Sequence, residues 1–249
     1  MRRPLRRLAF GLVAAACAAP GSPRAQELVA DLSRHLVAIT TGFVGTDVLL
    51  FGATDGEGDV IVVVRGPRRP TVVRHRTRMA GIWVNDAELT FVNAPAFYWM
   101  ASSRPLDRVL PAVAMERHRI GIRHLALRPD RAVDEDTLES FRDALVRNKT
   151  RIGLYGEQLG SIAFLGNRLF RTTVYFPANV PTGTYTVAVF LVRQGRVVSA
   201  QTTPLLVSKV GLGAEISRFA HERSILYGIM AIAMALLAGW LAGAVFRKA

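Results

Sequence analysis

Pro181-Thr-Gly-Thr-Tyr-Thr-Val-Ala-Val-Phe-Leu-Val192 is a turn that feeds a long apolar strand. Gln194-Gly195 makes a tight connection to Arg196-Val-Val-Ser-Ala200, and Pro204 to Val207 closes the unit. A Pro-x-Gly-x-Tyr turn, a strand, a glycine hairpin and a last strand is how many immunoglobulin-like sandwiches end. Working outward, Leu169 to Phe176 reads as a strand stopped at Pro177. The first third repeats the style in His35-Leu-Val-Ala-Ile-Thr-Thr41 and Thr46-Asp-Val-Leu-Leu-Phe-Gly-Ala53. After the turn Thr54-Asp-Gly-Glu-Gly58 comes Asp59-Val-Ile-Val-Val-Val-Arg65, β-branched and of strand length. Thr71 to Arg78 alternates, and Gly81-Ile-Trp-Val-Asn85 and Leu89-Thr-Phe-Val92 look like further short strands. The expected fold class is mainly β, an immunoglobulin-like β-sandwich built from both ends of residues 26–212.

Between these sets the pattern changes. Ala94-Pro95 precedes Ala96-Phe-Tyr-Trp-Met-Ala101, which reads as a helix with proline at its first turn. Asp136-Thr-Leu-Glu139 has capping-box spacing, with Leu138, Phe141 and Leu145 on one face, and predicts a helix over 136–148. The sandwich is therefore expected to carry a helical insertion at about 94–160. Two small β domains separated by the helices are the alternative.

The two ends do different work. Four arginines in the first seven residues, the apolar run Leu8 to Ala19, and Ala25 before a polar start predict a secretory signal peptide over 1–25. Arg6-Arg7 faintly resembles a twin-arginine signal, and Ala14-Ala-Ala-Cys17 a lipoprotein box. Ile225 to Phe246 holds 22 residues without a charge, about 33 Å as a helix and enough for the hydrocarbon core. One C-terminal transmembrane helix at 225–246 follows, with a juxtamembrane segment at 213–224 and a cytoplasmic tail at 247–249. The signal peptide sets the orientation, main domain in the periplasm of a bacterial inner membrane and C-terminus inside. Gly228, Ala231, Ala235, Gly239 and Gly243 share one helix face, where small residues let another helix approach closely.

The chain has 249 residues, 50% of them hydrophobic, with 32 Lys+Arg against 19 Asp+Glu. That hydrophobic content argues against disorder, and one cysteine excludes a disulfide scaffold. If Cys17 leaves with the signal peptide, thiolate metal sites and c-type haem attachment have no ligand. No nucleophile elbow, P-loop, dinucleotide fingerprint or zincin motif is present. His118 and His124, with Met115 nearby, make a soft-metal site conceivable, but their spacing matches no metal signature. Ser102-Ser103 has no base that sequence can name, and Asp134-Glu-Asp136 lacks the spaced oxygens of a calcium loop. No catalytic residue, metal ligand or cofactor is expected.

The most distinctive polar feature is Arg65, Arg68, Arg69, Arg74, Arg76 and Arg78, with no acid between Val60 and Asn85. Arg74, Arg76 and Arg78 fall on one side of a strand and are the candidates for an anionic partner. The competing account is a solvated face that blunts a sheet edge. The usage of 29 arginines against three lysines points to a general preference for arginine. Nucleic acid is not an expected partner of an exported domain.

Several phrases together resemble a largely uncharacterised family of alphaproteobacterial transmembrane proteins. They are Gly45-Thr-Asp-Val-Leu-Leu-Phe-Gly52, Gly58-Asp-Val-Ile-Val-Val-Val-Arg-Gly-Pro67 and Gly81-Ile-Trp-Val-Asn85. Pro95-Ala-Phe-Tyr98 with Ser103-Arg-Pro-Leu106, Phe176-Pro-Ala-Asn-Val-Pro-Thr-Gly-Thr-Tyr185, and Tyr227-Gly228 through Gly239-Trp240 complete the set. The resemblance implies a signal peptide, an exported domain and one C-terminal span. It transfers no catalytic or binding residue, and the nearness of such genes to those of permeases of the sulfite-exporter type implies an accessory role. The expected function is a non-enzymatic, membrane-anchored periplasmic module, an accessory or interaction subunit of an integral inner-membrane protein such as a permease, or a homodimer. The alternative is a periplasmic ligand- or metal-binding protein or an enzyme.

Overall fold

The computed structural model describes residues 27–79, 81–211, 220 and 223–246. The signal peptide with Cys17, most of segment 213–224 and the tail 247–249 lie outside the described residues.

Ten of the strands divide between two sheets that share one core, and the other two pair with each other as a separate ribbon. The first has the order β1 (Leu28–Leu32), β3 (Gly45–Thr54), β10 (Leu169–Pro177), β9 (Ala163–Leu165). The second runs β2 (Leu36–Ile39), β12 (Arg196–Lys209), β11 (Gly183–Arg193), β4 (Asp59–Arg65), β7 (Tyr98–Ser102), β8 (Gly160–Ser161). Alternation builds the first sheet: along β10, Phe170, Thr172, Val174 and Phe176 are buried while Leu169, Arg171, Thr173 and Tyr175 are exposed. The fold is mainly β, as its β-branched, turn-bounded runs predict. Neighbours β1-β3-β10 and β12-β11-β4 match the A-B-E and G-F-C strand orders of immunoglobulin-type sandwiches. Tyr185 adds the corner bond of such folds, its Oη donating to the Pro181 carbonyl four residues back at 2.6 Å.

Strand β4 explains its own composition. Val60 to Val64 are all buried, because both faces of the strand are covered. One face meets the sandwich core. The other, with Arg65 and the facing Tyr98 and Phe190, lies under α2 (Ala112–His118) and the turn that follows. His118 packs on Phe190 with ring centroids 5.8 Å apart, and the Gly121 N–H donates to Tyr98 Oη at 2.8 Å. The short α1 (Leu106–Val109) precedes α2. The long helix α3 (Glu135–Arg151) is capped by Asp134, whose carboxylate accepts the Thr137 N–H at 2.8 Å. The cap thus falls two residues before the predicted Asp136. That hydrogen bond holds the Asp134 carboxyl below the usual carboxylate range.

One expectation is overturned. Residues 96–101 do not form a helix: Tyr98–Ser102 is strand β7, paired with Ile61–Arg65. Pro95 and Ala96 suit a helix start, but Phe97, Tyr98 and Trp99 favour strand, and the buried β4 offers partners only long-range pairing can supply. The helices of the expected insertion therefore lie within 106–151. The two short strands expected at 81–92 are one, β6 (Ile82–Pro95), paired along β5 (Arg68–Met79).

At the end of the sandwich where β4 begins, Arg104 Nε donates to Asp59 Oδ1 at 2.7 Å, and Ser103 Oγ donates to the same oxygen at 2.9 Å. The Arg104 bond, opposed by partial burial and helped by Ser103 and the guanidinium charge, holds the Asp59 carboxyl below its ordinary range. With its folded pKa depressed, Asp59 stabilises the fold fully above the unfolded carboxylate pKa of about 4 and loses that contribution as pH falls through the folded value. The melting-temperature gap between wild type and Asp59→Asn should therefore be widest near neutrality and close on acidification. A gap independent of pH would remove this assignment.

Candidate functional site

Strands β5 and β6 continue the pairing of β4 with β7. Gly66 N–H donates to Phe97 O and Ala96 N–H to Pro67 O, each at 2.8 Å, so 59–79 and 82–102 form one long hairpin. Its middle is fixed by neighbours. Arg65 donates to the Arg119 carbonyl at 2.7 Å, and Arg69 to the Thr182 carbonyl at 2.6 Å. Burial, together with the nearby Arg119 and Arg68 charges and against the pull of Tyr98, shifts the Arg65 guanidinium below its ordinary value. Further along, Val92 N–H donates to Arg128 O at 3.0 Å and Asp130 N–H to Thr90 O at 2.8 Å. Close approach is built into the base: a Cβ on Gly66 would lie 2.8 Å from the Phe97 nitrogen.

The arginines thus divide by position. Arg65 and Arg69 hold the hairpin to the body. Arg74 pairs with Glu88 directly across the ribbon at 3.2 Å, and Arg76 reaches Asn85 Oδ1 at 3.2 Å. Arg78 stands opposite Trp83 and meets no carboxylate among the described residues. An extra residue in β6, Asp86, interrupts the register. Its carboxylate takes Thr77 Oγ1 at 2.7 Å and His75 Nδ1 at 2.8 Å, and those two bonds hold it below the usual carboxylate range. The strand that looks wholly basic in sequence is therefore partly neutralised by its partner. Between Arg76 and Asn85 the ribbon carries two arginines and no acid. Here also lie Met79, Ile82 and Trp83, exposed by 61%, 69% and 66%. In the sequence Ile82 and Trp83 read only as part of a short strand, and the signal for an exposed tip was the glycine turn at Gly81 between large apolar residues.

The C-terminal helix α4 (Ser224–Phe246) leaves its small residues open. Ala231, Ala235, Gly239 and Gly243 are exposed, Gly228 is half-exposed, and nothing lies within 4 Å of a Cβ built on Gly228, Gly239 or Gly243. Among the described residues it is the one helix long and apolar enough to cross a membrane. A second apolar feature is a shallow hollow of about 370 Å³ on the outer face of the first sheet, lined by Val29, Leu49, Phe51, Leu165 and Leu169.

His118 lies against Phe190, and His124 beside Gly121. Ser103 is engaged with Asp59, and buried Ser102 has no hydrogen-bond partner for its hydroxyl among the described residues. Among the described residues no three of His, Cys, Asp and Glu gather as a metal site. The acidic run at Asp134 caps a helix.

A packed β domain followed by one uncovered apolar helix of membrane-spanning length defines a membrane-associated protein with a single candidate span. The chain belongs to the family described as "Putative transmembrane protein (Alph_Pro_TM)", whose model matches residues 27–248. No curated protein and no solved structure matches it.

Proposed function

We propose that this chain is a membrane-anchored interaction module, with its β domain outside the bacterial inner membrane and its C-terminus inside. It serves as an accessory subunit of an integral membrane protein such as a permease, or pairs with a second copy. The observation that supports this is the uncovered helix, whose face of Gly228, Ala231, Ala235, Gly239 and Gly243 keeps a four-residue spacing along most of its length. In lipid, close packing replaces the hydrophobic drive that water provides, so a ridge of small residues is where a second helix gains most contact. Leu237 lies on the opposite side of the helix.

A photo-crosslinking residue placed at Gly239 in cells tests this. The expected result is a discrete adduct from Gly239 and none from Leu237. Equal labelling from both positions, or from neither, contradicts the proposal.

A further inference from the structure

The long hairpin leaves the sandwich at the end from which the chain departs for its span. Strands β4 and β12 both run antiparallel to β11, with Thr186 facing Arg65 on one side and Pro204 on the other. Their C-terminal ends therefore lie at the same end of the second sheet. The contacts agree: Pro67, at the root of the ribbon, packs on Gly183, and Gly183 is paired with Val207 near the exit of β12. The 12 residues of β5 extend over at most about 40 Å, less where the register shifts at Arg69/Thr71 and His75/Arg76 bend the ribbon. Residues 210–223, between β12 and α4, can extend over about 45–50 Å. The linker can span the ribbon's length, so a tip on this ribbon is within reach of the surface that α4 enters.

The chemistry of the tip is that of an interfacial anchor. Three large apolar side chains, Met79, Ile82 and Trp83, stand more than half exposed at one turn, where water gives them no gain. Tryptophan prefers the headgroup level, with its ring in apolar surroundings and its N–H toward water. Behind them Arg76 and Arg78 have no carboxylate partner among the described residues, whereas the nearest acids, Asp86 and Glu88, are engaged with His75 and Thr77, and with Arg74. The charge presented is cationic and complements anionic headgroups. We propose that the hairpin tip, Met79, Ile82 and Trp83 with Arg76 and Arg78, inserts into the headgroup region of an anionic bilayer and sets the domain's orientation on the membrane. This rests on the reading that the domain stands beside a bilayer to which α4 anchors it.

The test uses the full chain in vesicles of phosphatidylcholine alone or mixed with phosphatidylglycerol. The chain has three tryptophans, so Trp99→Phe with Trp240→Phe leaves Trp83 as the sole indole. In anionic vesicles its emission should shift to the blue and be quenched by lipids brominated on their acyl chains. Arg76→Gln and Arg78→Gln should each lower the inserted-to-free ratio about fivefold. Raising salt from 0.1 to 1 M, which shortens the screening length from about 10 to about 3 Å, should act in the same direction. If Trp99→Phe unfolds the sandwich, an environment-sensitive label on Ile82→Cys in the native tryptophan background reads the same immersion.

A companion chain, Trp83→Phe with Trp99→Phe, keeps only Trp240 within the span. Bromolipid quenching of Trp240 with Trp83 still open to iodide in both vesicle types overturns this proposal alone and leaves the tip for a protein partner. Absence of quenching at Trp240 overturns the anchoring as well.

Discussion

Tyr185→Ala is expected to destabilise the domain by about 3–5 kcal/mol, enough to leave a typical domain close to unfolding. The side chain is fully buried, meets Phe97 at a tilt and Phe176 edge-on with ring centroids 5.7 Å away in each case, and closes the turn through its bond to Pro181. Truncation opens a cavity between the sheets and frees the corner that positions β11. Tyr185→Phe separates the two effects, keeping the packing while removing the bond to the half-exposed Pro181 carbonyl at a cost of about 0.5–1.5 kcal/mol. Thermal melts of the full chain in one detergent should therefore order wild type, Tyr185→Phe and Tyr185→Ala by falling melting temperature. If the phenylalanine variant is as damaged as the alanine one, the aromatic packing does not carry the corner.

The combined change of Ala235, Gly239 and Gly243 to leucine should abolish association through α4 while leaving the outer domain folded. Each leucine adds a branched side chain to the ridge along which a second helix would approach, holding the two backbones apart. The substitutions keep the helix apolar, so insertion is not penalised. Size-exclusion chromatography in mild detergent should show the complex reduced to the lone chain. A control leucine at Ala233, off that ridge, should change nothing. A complex of unchanged size in the triple variant would assign association to the outer domain instead.

Local pattern carried much of the fold. The β-branched run 59–65, the alternation of 169–177 and the turn at Pro181 each specify a strand through short-range chemistry, and each forms one. Helix α3 was legible from its acidic start and apolar face, although Asp134 and not Asp136 caps it. What failed was the stretch after Pro95. Its conformation is decided by β4, more than thirty residues earlier in the chain, and no local rule reports a partner at that distance.

The candidate site was half legible for the same reason. The small residues of α4 and the run of arginines are compositional, so they were visible. That Glu88 would stand across from Arg74 depends on the register of a hairpin with an extra residue at Asp86, which the sequence does not mark. The exposure of Met79, Ile82 and Trp83 was hidden because alternation shows which residues share a face, not whether anything covers it.

Extraction of tagged chain from its native membrane in mild detergent, followed by sizing and mass spectrometry of what travels with it, tests the central claim most directly. The account predicts a stoichiometric partner, either one integral membrane protein or a second copy, lost when the Ala235, Gly239 and Gly243 ridge is filled. A chain that runs as a lone monomer at every detergent-to-protein ratio would contradict it.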